Sequence, residues 1–95
     1  MDKKTFNEQV GNSQVIVDFY ADWCGPCHAI EPVLQKISEE TGIGIVKVNI
    51  DESRDLAEKY GVASIPFVML MQNGEAQRVS VGAAPKSTIE KNLGL

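Results

Sequence analysis

Val15-Ile16-Val17-Asp18-Phe19-Tyr20-Ala21-Asp22-Trp23-Cys24-Gly25-Pro26-Cys27 is the stretch on which the fold turns. Its first six residues, Val15 to Tyr20, are mostly β-branched or aromatic and read as a strand. From Cys24 the period changes. Cys27, Ile30, Leu34 and Ile37 recur at spacings of 3, 4 and 3, which is one face of a helix running to about Thr41 with Gly42 as its stop. A C-x-x-C pair that follows a strand and opens a helix is a redox pattern. Place on the helix then separates the two sulfurs. Cys24 is at the N-terminus, where free backbone N–H groups and the helix dipole favour an anion, so it is the expected attacking thiolate. Cys27 falls one turn later among the apolar positions and is the expected resolving thiol. Gly25 and Pro26 suit a first helical turn, where proline is tolerated and its fixed φ limits the freedom of the dithiol.

Outward from this centre, Lys4 to Val10 reads as a short helix ended by Gly11, with Phe6 and Val10 four apart. Ile43 to Ile50 reads as a second strand, and Ser53 to Tyr60, closed by Gly61, as another helix. Phe67 to Met71 and Gln77 to Val81 flank Asn73-Gly74, the strongest short hairpin signal. Pro85 to Leu93 closes the chain as a helix. Strands alternating with helices predict parallel pairing in the first half, and the hairpin adds antiparallel strands. The expectation is an α/β chain: a mixed four-stranded sheet flanked by helices on both faces, in one domain, 1–95.

Composition excludes several classes. The chain has 95 residues, too few for two independent cores, so a single core is expected. At 43% hydrophobic and 23% charged it is of ordinary globular composition. A net charge of -4 with no basic cluster argues against a nucleic-acid binder. The apolar run Val15 to Ala21, broken by Asp18, is far short of the roughly 20 residues that span a bilayer, so no membrane segment is expected. No apolar stretch follows the lysines of the amino end, so no secretory signal is expected and the default address is cytoplasmic. Two cysteines are too few for a disulfide scaffold. A structural disulfide is the bland alternative, but closing a loop of about four residues gains only ~2 kcal/mol. Zinc within one chain fails on count, since Cys24, Cys27 and His28 fall short of four ligands, which leaves only a site shared between two chains.

Four further residues stand out. Asp18 interrupts an apolar strand six residues before Cys24, and burial there would raise its pKa and make it a proton acceptor for Cys27. The alternative is a solvated aspartate. Lys47, in Val46-Lys47-Val48, is a candidate charge partner for Asp18 or a snorkelling surface lysine. His28 could lie near the thiolate, although a solvated helix-surface histidine is the favoured reading. Nothing in the sequence pattern demands a cis bond at Ile65-Pro66.

The chain resembles the thioredoxin family over nearly its whole length. The resemblance rests on Val17-Asp18-Phe19-Tyr20-Ala21-Asp22-Trp23-Cys24-Gly25-Pro26-Cys27, Pro32, Lys47-Val48-Asn49-Ile50-Asp51, Tyr60-Gly61-Val62, Ile65-Pro66, Asn73-Gly74-Glu75 and Val81-Gly82-Ala83. It implies the thioredoxin fold, a redox-active Cys24–Cys27 disulfide, Asp18 as a buried carboxylate with Lys47 near it, and a cis Pro66 beside the dithiol. It further implies that Trp23, Gly25, Pro26, Ile65, Pro66, Gly82 and Ala83 form an apolar rim that receives an extended client. Pro32 would be the kink in the long helix. The implied activity is protein-disulfide reduction in cell redox homeostasis, by a monomer with no bound cofactor, regenerated by a thioredoxin reductase. Three departures are visible. Only Met1 to Lys3 precede the first helix, so the family's usual first strand is expected to be missing. Phe67 stands where threonine is usual, which could alter packing behind the client groove. His28 replaces the common lysine or arginine, making charge near the thiolate pH-dependent. The rival readings are a disulfide oxidant or isomerase, and a docking module whose dithiol is incidental. Gly25-Pro26 favours the reductant over the first, and the intact Cys24, Cys27, Asp18 and Pro66 weigh against the second.

Overall fold

The computed structural model describes all residues, Met1–Leu95. The elements are α1 (Lys3–Val10), β1 (Val15–Tyr20), α2 (Gly25–Thr41), β2 (Gly44–Asn49), α3 (Arg54–Lys59), β3 (Phe67–Gln72), β4 (Glu75–Val81) and α4 (Lys86–Leu93). Every element expected from the sequence is present, with no end moved by more than two residues. Asp2 caps α1 by accepting the Thr5 N–H at 2.7 Å, and Gly42 ends α2 in a left-handed conformation at φ 75°. Pro32 lies inside α2.

The four strands run in the order β2-β1-β3-β4. β1 pairs parallel with β2 and antiparallel with β3, and β3 pairs antiparallel with β4. β2 is therefore an edge strand. The period-2 alternation divides the sheet's side chains cleanly between its faces. Val15, Val17, Phe19, Val46, Val48, Phe67, Met69 and Met71 pack with Phe6 and Val10 of α1 and Leu56 of α3. Ile16, Val68 and Leu70 face the other way, onto Ile30, Leu34 and Ile37 of α2 and Ile89 and Leu93 of α4. The single core expected from chain length is thus two layers. The β1-α2-β2 crossover lays α2 on one face beside α4, while α1 and α3 cover the other, so the sheet itself separates the apolar interior. Phe67 is buried in the α1/α3 layer, edge-to-face with Phe19 at 5.7 Å.

Candidate active site

The register builds the site. Phe19 pairs with Phe67 and Phe67 with Val81, so the end of β1, the start of β3 and the end of β4 form one row. The three chain segments beyond that row therefore leave the sheet at the same end: Ala21 to Cys27, Ile65-Pro66 and Gly82-Ala83. The Gly82 N–H donates to the Pro66 carbonyl at 2.8 Å and ties the last two together. The Ile65-Pro66 bond is cis. Ile65 packs against the cluster formed by Ala21, Cys24 and Cys27.

Cys24 is the N-cap of α2, and its sulfur accepts the Cys27 N–H at 3.2 Å. The two sulfurs are joined in a disulfide, with Cα atoms 5.3 Å apart. When the pair is reduced, that same N–H and the helix dipole lie where they stabilise a thiolate on Cys24. Cys27 is on the buried face of α2 with Ile30, Leu34 and Ile37. Around the pair, Trp23 is 70% exposed, Gly25, Pro26 and Ala83 are exposed, Ile65 and Gly82 are half-buried, and Pro66 is the buried member. The Trp23 indole N–H donates to Asp51 Oδ2 at 2.9 Å, which orients a ring that burial leaves free. Asp51 escaped the sequence reading because it lies 28 residues from Trp23 and no local pattern links them.

Asp18 is 1% exposed on the β1 face that α2 covers, and its Oδ1 has no hydrogen-bond partner. Burial raises its carboxyl to about 6, with Lys47 opposing the rise and Glu31 adding to it. The solvated alternative for Asp18 is excluded. Lys47 combines both of its expected readings, an exposed lysine beside Asp18. It is the register partner of Asp18 on β2, yet it is exposed and its Nζ bonds Glu31 Oε1 at 3.0 Å while lying 4.4 Å over the Tyr20 ring. The ammonium acts on Asp18 through space, without an ion pair, because a carboxylate half in water satisfies it at less desolvation cost than a buried one. His28 is an exposed helix residue. Its Nε2 donates to the Asp22 carbonyl at 2.8 Å and its Nδ1 is 3.5 Å from Glu31. A cleft of about 260 Å³ is lined by Asp18, Glu31, Leu34, Gln35, Ile45 and Lys47. Glu31 was missed in the sequence, although its place four residues after Cys27 and three after His28 puts it on the adjoining flank of the same helix.

The Thioredoxin family model matches residues 1–94. The chain belongs to the thioredoxin family. It is 43% identical over 93 residues to a thioredoxin of Porphyra purpurea, covering 94% of this chain and 87% of that protein. To a thioredoxin of Streptomyces clavuligerus it is 49% identical over 88 residues, covering 90% and 82%. A mutant thioredoxin from Halobacterium salinarum superposes with a TM-score of 0.83 at 35% identity, covering 100% of this chain and 88% of that one. With the thioredoxin fold and the Cys24–Cys27 pair both in place, the chain is a thiol–disulfide oxidoreductase that exchanges a dithiol for a protein disulfide. No helix is long and apolar enough to cross a membrane.

Proposed function

We propose that Cys24 is the nucleophile and Cys27 the resolving thiol of a protein-disulfide reductase. The carrying observation is the position of Cys24 as N-cap of α2, with the Cys27 N–H on its sulfur. In the first half-reaction the Cys24 thiolate attacks one sulfur of a client disulfide, and the other client sulfur leaves as a thiol after taking up a proton. The Asp18 carboxylate then accepts the Cys27 proton, and the Cys27 thiolate attacks Cys24 Sγ. The Cys24–Cys27 bond forms, the bond to the client breaks, and the client departs reduced.

Trp23, Gly25, Pro26, Ile65, Pro66, Gly82 and Ala83 serve as the client-binding rim. Three chain segments with apolar or side-chain-free residues, meeting at one end of the sheet, suit an extended polypeptide read mainly through its backbone. Disulfide-containing proteins are the clients, a thioredoxin reductase returns the electrons, and the cytoplasm is the compartment that keeps such a couple reduced. Lys47 acts on the charge state of Asp18.

The test uses a model substrate with an interchain disulfide. Cys24→Ser is expected to show no turnover, and Cys27→Ser to accumulate a mixed disulfide with the substrate. Full activity in Cys24→Ser would overturn the assignment.

A further inference from the structure

Asp18 and Lys47 face each other across two parallel strands, spaced about 4.8 Å apart as neighbouring strands are. That spacing is well suited to an ion pair, yet none forms. The Lys47 ammonium turns outward to Glu31 Oε1, 3.0 Å away, and Asp18 Oδ1 is left without a partner in the cleft that all three line. We propose that Glu31 is a positioning residue for the exchange reaction: by holding the Lys47 ammonium on its own carboxylate, it withholds that charge from Asp18 and preserves Asp18 as a base. The proposal rests on the reading of Asp18 as the acceptor of the Cys27 proton.

The physical argument concerns the strength of a base. A carboxylate in direct contact with an ammonium is stabilised as the anion and is a poor proton acceptor. An isolated buried carboxylate is the reverse. Glu31 keeps Asp18 in the second condition in two ways, since its charge adds directly to the cost of ionising Asp18 and its bond to Lys47 removes the nearest compensation. Both push the same way, as the opposed effects of Lys47 and Glu31 on the Asp18 carboxyl reflect. The other groups that bear on Asp18 are few. On β1, Tyr20 carries the ring under Lys47. On α2, the reduced Cys27 thiol is the proton donor whose titration is coupled to that of Asp18 in every variant alike, Gln35 is neutral, and His28 reaches the site only through Glu31 Oε1 at 3.5 Å, where an imidazolium would compete with Lys47 for the same oxygen. Val68, opposite Asp18 on β3, and Ile89 and Leu93 of α4 are apolar.

The experiment follows the Asp18 carboxyl carbon by NMR against pH in the reduced protein, for the parent, Glu31→Gln, Lys47→Met and the double variant. Glu31→Gln is expected to lower the Asp18 titration by about half a pH unit or more. In the Lys47→Met background the same substitution is expected to lower it by less than half as much, because the route through Lys47 is gone. No shift in Glu31→Gln overturns the proposal, and so does an equal shift in both backgrounds, which would leave only direct repulsion. The rate of client release from a preformed mixed disulfide supplies the second readout. Its pH midpoint is expected to fall in step with the titration in Glu31→Gln, and a profile that stays put removes Glu31 from the reaction. Asp18→Asn separates the two failures: if it releases client at the parent rate, Asp18 is not the base, whatever the titrations show. A merely structural ion pair would change thermal stability and leave both midpoints where they are.

Discussion

An ionised Asp18 has 1% of its surface open to water and an oxygen with no hydrogen-bond partner, a combination that penalises the folded state. The displacement of its carboxyl from 3.8 to about 6 corresponds to a penalty of about 3 kcal/mol once ionised. Below about pH 4 the carboxyl is protonated in folded and unfolded chains alike and the penalty vanishes. Between pH 4 and 6 the unfolded chain ionises first, so the folded state binds more protons and loses stability as pH rises. Above pH 6 the penalty is constant. Asp18→Asn is therefore expected to match the parent near pH 4 and to exceed it by up to about 3 kcal/mol at pH 7, while slowing client release by about tenfold or more. Denaturant unfolding across this range, beside mixed-disulfide release at pH 7, checks both. A pH-independent difference in stability would show that the carboxyl does not titrate as described. Asp18 was legible as an anomaly because an acid inside a Val-Ile-Val and Phe-Tyr strand breaks the apolar pattern. The partner of Lys47 was not, because Glu31 and Lys47 meet across a helix–sheet contact 16 residues apart.

The hairpin shows how an element can be read from two residues. Asn73 and Gly74 adopt φ 54° and 76°, two successive left-handed residues as a type I′ turn requires, and β3 and β4 pair on either side. A Cβ at Gly74 meets no neighbouring atom, so substitution there tests backbone conformation alone. Gly74→Ala is expected to destabilise the protein by about 1 kcal/mol with its activity intact, as read by thermal unfolding and turnover. A stability equal to the parent's would mean that the turn changes conformation at no cost. The long helix was equally legible, since the spacing of Cys27, Ile30, Leu34 and Ile37 matches the four buried positions of α2. Less legible was the start of β4, which begins at Glu75 and is almost wholly exposed, with Ser80 its one buried residue. An edge strand with little buried surface has no apolar alternation to announce it.

Across the whole molecule, one covalent constraint switches on and off with the reaction. Closing the short loop between Cys24 and Cys27 removes conformational freedom from the unfolded chain worth about 2 kcal/mol by the chain-entropy relation. The oxidised protein is expected to unfold in a single transition at higher denaturant than the reduced one, by about that free energy. A reduced form as stable as the oxidised one would contradict it.

The sequence by itself determined the element order, the apolar faces and the identity of the redox pair, because periodicity, turn residues and the place of a cysteine at a helix start are local properties of the chain. Tertiary structure alone decided that the interior is two layers and that the Gly82 N–H ties the last strand's end to the Pro66 carbonyl. It alone decided that Trp23 is held by Asp51, and that Lys47 answers to Glu31 and leaves Asp18 unpaired. These depend on which strands become neighbours, and on where burial makes charge costly. No single segment carries that information, because both arise only when distant segments pack and exclude water.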